Sequence, residues 1–255
     1  MQINMKTDLK DVTFTIPVRI DSQDRVFNLQ YIVKYLSNNF DTNIIIYENG
    51  PTAGKLELNL PNVEYVFEIN TGVFHRTRYL NQMARLAQTK FIVNYDCDVL
   101  FPTKQIVKAV NLLRNNTVDY CYPYSGLFVN IPKTALNETF TVDNLDSTKY
   151  PNFGNNSVGG AVIWNKDVFV AGGMENENFI SWGAEDWERM RRFLALGYRP
   201  GRVNGPLYHI EHSRTRDSSE SNPHYVNNTQ EYNRIVNMTK DGLLKEIKTW
   251  PWLSE

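Results

Sequence analysis

The sequence contains only two cysteines, Cys97 and Cys121, in 255 residues. Two thiols cannot form the disulfide framework that stabilises small secreted domains, so that class of protein is excluded. This scarcity fits a reducing compartment such as the cytoplasm. Both residues are most simply interpreted as small, buried hydrophobic side chains.

A strong net charge and long apolar runs are also missing. The formal net charge is −1, which provides no overall positive field for binding nucleic acid. No apolar run is long enough to cross a bilayer, and the start of the sequence lacks the pattern of a secretory signal. We therefore expect a cytoplasmic protein without a nucleic-acid partner, with peripheral attachment to the inner face of the membrane as an alternative. The sequence indicates no oligomeric state.

The first half of the chain has the pattern of an α/β fold. Hydrophobic residues make up 42% of the chain and charged residues 22%, which is typical of a single globular domain. Strands are predicted at 12–18, 43–48, 63–67 and 91–95, and helices at 22–36, 76–87 and 105–113. This alternation predicts right-handed βαβ units, and hence a mixed, mostly parallel central sheet flanked by helices.

The second half is less regular. It contains a polar stretch typical of a long loop at 134–156, a strand entered through two glycines at 159–164, a helix at 184–196, an extended segment at 198–208 and one or two helices at 227–253. The helix at 184–196 is predicted to be amphipathic, with Trp187, Met190, Phe193 and Leu194 as its apolar residues. Its acidic first turn complements the helix dipole.

Asp96-Cys97-Asp98 follows the predicted buried strand at 91–95. Carboxylates at the end of a parallel strand lie where open α/β sheets bind ligands, and two so close together call for a cation. Asp98 is the candidate metal ligand, and Asp96 is expected to contact the ribose or sugar. The alternative is that both aspartates cap the next helix.

His209 and His212 are two of only four histidines in the chain. A spacing of three residues lets both imidazoles reach one ion. Together with Asp98 they would leave room for diphosphate oxygens and water around Mn²⁺ or Mg²⁺, and the imidazoles favour Mn²⁺. The alternative is a solvated polar turn.

Two residue types, tryptophan and arginine, suggest the substrates. Trp182 has a glycine beside it and a polar stretch around it, so it is more plausibly a platform for a sugar ring than a core residue. Arg19, Arg76 and Arg78 are candidates for the nucleotide end, because a guanidinium binds phosphate with two parallel hydrogen bonds. The alternative for Arg76 and Arg78 is a solvated helix start.

Six segments, in order, resemble the inverting β-1,4-galactosyltransferases and related bacterial capsule or O-antigen transferases, which have the GT-A fold. They are Ile16-Pro17-Val18-Arg19, Phe74-His75-Arg76-Thr77-Arg78-Tyr79-Leu80-Asn81, Asp96-Cys97-Asp98, Val158-Gly159-Gly160, Trp182-Gly183-Ala184-Glu185-Asp186 and His209-Ile210-Glu211-His212-Ser213-Arg214. Three positions depart from the family pattern: Val18 replaces an aromatic residue, Ala184 a glycine and His209 a methionine.

The resemblance implies a role for each segment. The nucleotide-sugar would contact Pro17, Val18, Arg19, Asp21, Phe74, Arg76, Arg78, Asp96, Cys97, Gly159 and Gly160. The acceptor would contact Trp182, Gly183, Glu185 and Asp186, with Asp186 as the catalytic base and Glu185 as its acceptor-binding neighbour. His212 is the metal ligand that the family keeps.

The function implied is a metal-dependent inverting glycosyltransferase. It would transfer a hexose or N-acetylhexosamine from a UDP-sugar to a carbohydrate or lipid-linked glycan, in the synthesis of surface polysaccharide or another glycan. We expect one domain over 1–255, with a nucleotide-binding half at about 12–100, an acceptor and metal-completing half at 101–225 and a helical tail at 226–255. The alternatives are a sugar-nucleotide nucleotidyltransferase and a non-catalytic sugar-binding protein. The segment after the first strand, 17–21, lacks the glycine-rich loop expected of a nucleotidyltransferase.

Overall fold

A computed structural model describes residues 5–54, 56–213 and 221–254. Its centre is a seven-stranded sheet in the order β3-β2-β1-β4-β8-β6-β9. The strands are β1 (Thr7–Val18), β2 (Phe40–Gly50), β3 (Val63–Ile69), β4 (Phe91–Tyr95), β6 (Tyr120–Tyr122), β8 (Ala161–Asn165) and β9 (Pro200–Arg202). Only β8 runs against its neighbours, since it pairs antiparallel with both β4 and β6. The predicted mixed, mostly parallel sheet is confirmed.

Helices pack around this sheet. They are α1 (Gln23–Asn39), α2 (Arg76–Leu86), α3 (Thr103–Arg114), α4 (Lys166–Ala171), α5 (Glu185–Leu196), α6 (Tyr225–Val236) and α7 (Lys240–Ile247). Ser22 is the N-cap of α1, because its side chain accepts a hydrogen bond from the Arg25 backbone N–H and so satisfies a donor that the first turn leaves unpaired. Among the described residues, no helix combines the length and apolar character needed to cross a membrane.

The core lies along the strands that were predicted from their apolar runs. β4 is buried at all five positions, and β1 is buried from Val12 to Val18, as expected for parallel strands covered on both faces. A smaller cluster joins the last helices to the domain, and its buried Trp250 and Trp252 confirm that the tail packs on the protein.

A second, three-stranded sheet was not predicted. It has the order β5-β10-β7 and is built from β5 (Val99–Leu100), β7 (Phe128–Ile131) and β10 (Leu207–Ile210). β10 runs antiparallel to β5 and parallel to β7. Because β5 starts directly after Asp98, this sheet brings residues 99–100 and 207–210 side by side at the end of β4.

The predicted apolar face of α5 is only half right. Phe193 is buried and Met190 is partly buried against the core, but Trp187 and Leu194 are about 42% and 41% exposed. The buried residues of the helix also include Arg189 and Arg192. Both arginines form ion pairs with buried glutamates. Paired charges can occupy an interior position that a lone charge cannot, so this helix buries a charged face and exposes part of its apolar one.

Candidate active site

A cavity of about 430 Å³ opens where β1 and β4 end. Every predicted site residue except Arg78 lines it: Pro17, Val18, Arg19, Asp21, Phe74, Arg76, Asp96, Cys97, Asp98, Gly159, Gly160, Trp182, Gly183, Glu185, Asp186, His209 and His212. Arg78 is exposed on α2 and lies outside this lining. The segments that the sequence separates by almost two hundred residues therefore meet around one space.

The two aspartates after β4 face different partners. Residues two apart on a strand would share a face, but Asp96 and Asp98 lie in the turn between Tyr95 and Val99, and this turn directs their side chains apart. The Asp96 backbone N–H donates to the Gly160 carbonyl oxygen at 2.8 Å, which fixes the chain as it leaves the sheet. Asp96 Oδ1 accepts from Arg76 Nη2 at 2.6 Å. Asp98 instead forms an ion pair with Arg25 of α1 and faces both histidines.

Strand pairing places His209 next to Asp98. In the small sheet His209 lies opposite Val99, and the Ile210 backbone N–H donates to the Asp98 carbonyl oxygen at 2.8 Å. His209 Nε2 is consequently 3.9 Å from Asp98 Oδ1, and His212 Nε2 is 3.2 Å from Asp98 Oδ2. The potential ligand atoms of the three residues all lie within 4.8 Å of one another.

The second nitrogen of each imidazole is held by an oxygen. His209 Nδ1 is 2.8 Å from Asn130 Oδ1, and His212 Nδ1 is 2.8 Å from the Ser213 carbonyl oxygen. A carbonyl oxygen only accepts hydrogen bonds, so each Nδ1 carries the proton when the ring is neutral. Each Nε2 then directs a lone pair toward Asp98, which is the arrangement of a metal-binding histidine.

These residues fit a divalent cation. Neutral Nε2 atoms cannot donate to a carboxylate, so a proton or a metal ion must join the rings to Asp98. Burial would raise the pKa of Asp98, but the hydrogen bond from His212 and the charge of His209, when these rings are protonated, and the charge of Arg25 lower it well below its usual range. The carboxylate is thus ionised at neutral pH, as a metal ligand must be.

The opposite wall of the cavity holds a second group of charges, around Asp186 at the start of α5. Asp186 Oδ1 accepts from Arg189 Nη2 at 2.7 Å and lies 3.5 Å from Arg76 Nη1. Glu185 Oε2 accepts from the Gly183 backbone N–H at 2.8 Å, and its Oε1 is 3.9 Å from Arg76 Nη1. One arginine, Arg76, therefore faces three carboxylates.

The two neighbouring carboxyls differ in acidity. Burial and the charge of Asp186 raise the pKa of Glu185 to about 7, because Arg76 only partly offsets them. Burial acts on Asp186 in the same direction, but Arg189 and Arg76 outweigh it and lower the pKa of Asp186 below its ordinary value. At neutral pH the site thus holds one ionised carboxylate beside one that is part-protonated.

Glycine positions shape the wall of the cavity near Asp186. A Cβ at Gly159 would lie 2.5 Å from Asp186 Oδ2, so only glycine leaves that oxygen in place. Gly183 has a φ of +122°, and a Cβ there would meet the Tyr225 ring at 2.9 Å. Ala184, where the resemblance has a glycine, keeps the left-handed conformation with a φ of +68°.

Aromatic side chains border the open side of the cavity. Trp182 is 38% exposed and stacks on Tyr225 with ring centroids 6.1 Å apart. Trp187 lies in the lining and also borders an adjoining groove, together with Phe128 and the 69%-exposed Phe153. Exposed aromatic faces beside a polar cavity are suited to stacking on sugar rings.

Arg19 holds together the end of the cavity that lies beside β1 and β2. Its guanidinium donates to Asn49 Oδ1 at 2.5 Å and to the Gly72 carbonyl oxygen at 2.8 Å, and it lies over the Phe74 ring. Cys97 is a free, buried thiol, and burial raises its pKa to about 12. The interpretation of Cys97 as an unreactive small residue agrees with this environment.

Sequence reasoning missed three residues of the site. Arg25 and Asn130 contact the metal-ligand candidates, and Arg189 binds Asp186. Arg25 lies one turn into a predicted helix, and Asn130 lies on an unpredicted strand. For Arg189 the spacing of three residues after Asp186 was a visible signal, since positions i and i+3 of a helix are neighbours. Arg214, the last residue of the predicted histidine segment, lies outside the described residues.

The chain was compared with known proteins. A family model described as the N-terminal domain of galactosyltransferase matches residues 141–214, which is less than half of the chain. No curated protein matches the sequence. The crystal structure of the catalytic domain of Drosophila β1,4-galactosyltransferase 7 in complex with xylobiose is similar in fold, with a TM-score of 0.52 and 16% identity over 93% of this chain and 83% of that one.

These matches define the class of protein. The structural similarity confirms the predicted GT-A fold. The family match covers the segments at 158–160, 182–186 and 209–214. Together the findings confirm the resemblance to galactosyltransferases and support glycosyltransferase activity.

Proposed function

We propose that the protein is a metal-dependent, inverting glycosyltransferase. It transfers a hexose or an N-acetylhexosamine from a UDP-sugar to a carbohydrate or lipid-linked glycan acceptor, in the synthesis of surface polysaccharide or another glycan. The observation that carries this proposal is the meeting, in one cavity, of the Asp98, His209 and His212 cluster with the carboxylates of Glu185 and Asp186. The cytoplasmic location stays a prediction from the sequence.

The cation would be held by Asp98, His209 and His212. When bound, Mn²⁺ or Mg²⁺ neutralises the diphosphate of a nucleotide-sugar as the bond to the sugar breaks. Residues 12–100 supply the nucleotide end of the cavity, among them Val18, Arg19 and Phe74. Residues 101–225 supply the histidines and the acceptor side.

Asp186 is the proposed catalytic base. Arg189 holds its Oδ1, while Oδ2 faces the bare backbone of Gly159. Oδ2 takes the proton of the acceptor hydroxyl as that oxygen attacks the anomeric carbon and the UDP oxygen leaves from the other side. A single displacement of this kind inverts the anomeric centre, so an α-linked donor gives a β-linked product.

The acceptor is proposed to lie against Trp182 and Glu185. α6 and the turn before it fix this segment, because Asn222 in the turn and Asn228 in the helix both donate side-chain hydrogen bonds to the Trp182 carbonyl oxygen, at 3.1 and 3.2 Å. The similar Drosophila catalytic domain was crystallised in complex with the sugar xylobiose, which supports a carbohydrate acceptor here. The groove beside Trp187 gives room for a further sugar unit.

The donor sugar is proposed to carry an N-acetyl group. Ser157 lies two residues before Gly159 and lines the cavity, where a bulky aromatic residue would fill the space. Its hydroxyl pairs with the Tyr124 hydroxyl at 3.0 Å. We therefore expect UDP-GalNAc or UDP-GlcNAc to be used at least as well as UDP-Gal. A clear preference for UDP-Gal in a hydrolysis panel would contradict this.

The metal site is tested by thermal unfolding with UDP. UDP should raise the unfolding temperature only when Mn²⁺ or Mg²⁺ is present, because a ligand stabilises the native state that binds it. Asp98→Ala should abolish the increase, and Asp119→Ala, which removes an ion pair on the far side of the sheet, is the control. An equal increase in EDTA would contradict metal-dependent binding.

The base is tested by Asp186→Asn. This change should keep the metal-dependent binding of UDP and lower the rate of transfer by about two to four orders of magnitude. Glu185→Gln should instead raise the KM for the acceptor more than it lowers kcat. Transfer also distinguishes the alternatives, since a nucleotidyltransferase releases pyrophosphate from UTP and a sugar-binding protein releases nothing. A product with a retained α-linkage would remove Asp186 from this role.

A further inference from the structure

Two arginine–glutamate pairs lie inside the protein against α5. Arg189 pairs with Glu175, and Arg192 pairs with Glu188. All four side chains are at most 2% exposed. Apolar residues at such positions often stabilise a protein as well as a buried ion pair does. A contribution to stability therefore does not explain why the protein has two buried ion pairs. The other contacts of each pair indicate its role.

The Arg192 pair binds backbone carbonyls and lies over the aromatic rings of Phe193 and Trp250. Arg192 Nε donates to Glu188 Oε1 at 2.7 Å, and Nη2 donates to the Met174 carbonyl oxygen at 2.8 Å. Its Nη1 donates to the Gly172 carbonyl oxygen. These contacts hold the turn after α4, and none of these residues lines the reaction cavity. This pair is structural.

The Arg189 pair reaches the cavity. Arg189 Nη1 donates to Glu175 Oε1 and Oε2 at 2.9 and 3.1 Å, and Nη2 donates to Asp186 Oδ1 at 2.7 Å. Glu175 Oε1 also accepts from Asn94 Nδ2 at 2.6 Å, and Asn94 belongs to the fully buried strand β4. A continuous chain of hydrogen bonds thus joins the central strand to the carboxylate at the start of α5.

We propose that Arg189, fixed by Glu175 and Asn94, is a positioning residue for the Asp186 carboxylate. This inference rests on the proposed function, in which Asp186 takes the acceptor proton. With Oδ1 anchored, the carboxylate cannot rotate freely, and Oδ2 stays against Gly159, where a Cβ would lie only 2.5 Å away. The same contact keeps the carboxylate ionised, because Arg189 stabilises the charged form.

Several other groups act on the Asp186 carboxylate. They are Arg76 on α2, Glu185 beside it on α5, Asp96 after β4, and the hydroxyls of Tyr122 and Tyr124 on the β6 side. Among these described groups only Arg76 and Arg189 are cations, and Arg76 is shared with Asp96 at 2.6 Å. Loss of Arg189 therefore leaves Asp186 with one shared cation, and its pKa must rise.

The experiment replaces each pair by two methionines. Arg189→Met with Glu175→Met removes both charges of the first pair, so no unpaired charge remains buried and the fold is expected to survive. Arg192→Met with Glu188→Met is the matched control on the same helix. For both double variants the measurements are the unfolding temperature, UDP binding with Mn²⁺, and kcat against pH.

The first double variant should bind UDP with Mn²⁺ normally. Its kcat should fall roughly 10- to 100-fold, because a misplaced base costs about that much. The acidic limb of its pH profile should move to higher pH by about one unit or more. The control variant should keep its kcat and its pH profile even if its unfolding temperature falls. Equal losses in both variants, or an unchanged acidic limb in the first, would overturn the inference.

A second measurement does not need turnover. Carboxyl ¹³C NMR of aspartate-labelled protein, with Asp186→Asn to assign the signal, follows the titration of Asp186 directly. The pKa of Asp186 should be higher in the Arg189 double variant than in the wild type, and unchanged in the Arg192 double variant. If the wild type transfers no sugar, the proposed function fails while this titration still decides the role of Arg189. An unchanged pKa would refute it.

Discussion

Replacing Glu185 by glutamine should stabilise the protein at alkaline pH. Glu185 is 5% exposed, and burial and the charge of Asp186 raise its pKa from 4.5 to about 7. The folded protein therefore binds this proton more tightly than the unfolded chain does. The free energy of unfolding of the wild type must then fall as the pH rises between about 4.5 and 7. The glutamine variant has no proton to lose at this position, so its free energy of unfolding does not fall for this reason.

The size of the effect follows from the two pKa values. One pKa unit corresponds to about 1.4 kcal/mol, so ionising Glu185 in the folded state costs about 3 kcal/mol once the pH is well above 7. At pH 5 the difference between wild type and variant is only about 1 kcal/mol. For a chain of this length, 3 kcal/mol corresponds to roughly 6–12 °C in unfolding temperature. Glutamine keeps the acceptor for the Gly183 N–H, so no hydrogen bond is lost.

The assay is urea unfolding of wild type and Glu185→Gln at pH 5 and pH 8, in EDTA. The advantage of the variant should grow by about 2 kcal/mol between the two pH values. Glu64→Gln, at an exposed position of β3, provides the baseline for a glutamate-to-glutamine change. If the variant is less stable than wild type at pH 8, Glu185 is an ionised partner of Arg76 and the reasoning is wrong.

Three further substitutions test the local geometry. Gly159→Ala should lower kcat about 100-fold and leave UDP binding unchanged, because the new Cβ would lie 2.5 Å from Asp186 Oδ2 and displace this oxygen. A wild-type kcat would show that Oδ2 does not take the acceptor proton. Asn130→Ala should weaken Mn²⁺ binding about 10- to 100-fold in a calorimetric titration, since it frees the His209 ring; unchanged affinity would remove Asn130 from the metal site. Ala184→Gly should stabilise the protein in urea by up to about 1 kcal/mol, because its φ of +68° is unfavourable for alanine; a loss of stability would show that the alanine methyl packs usefully.

The sequence predicts β1 and β4 well because both are buried on both faces. The β-prone runs at 12–18 and 91–95, rich in apolar residues, have few other structures open to them. β4 was predicted at the residues it occupies, Phe91–Tyr95. The helices that follow these strands were found from their 3.6-residue periodicity, and their ends differ by only a few residues.

The small sheet could not be found in the same way. β5 has two residues, and β7 and β10 have four each, so their pairing depends on partners that are distant in the sequence. α5 was predicted within one residue of its bounds, but half of its predicted apolar face is exposed, for a different reason. Its interior face holds Arg189 and Arg192, each paired with a buried glutamate. A hydrophobic pattern assigns charged residues to the surface, so it cannot predict a buried ion pair.

Residues proposed for the candidate site lie together in the structure even where the elements that carry them were not predicted. Asp98, His209 and His212 were assigned to one metal from residue chemistry and resemblance, and the structure places their ligand atoms within 4.8 Å. Arg25 and Arg189 were missed because their roles lie in contacts with other elements. Arg78 was included for its charge, but the helix turns it outward and away from the cavity.

The distribution of tryptophan gives the protein a built-in optical signal. Of its five tryptophans, Trp164, Trp250 and Trp252 are buried, whereas Trp182 and Trp187 are part-exposed at the cavity. The two groups should emit at different wavelengths, because an indole in water fluoresces further to the red than one in the core. A sugar that stacks on Trp182 or Trp187 would change the red emission alone, while unfolding would shift the blue emission. Acceptors can thus be screened on unlabelled protein, without knowing the donor.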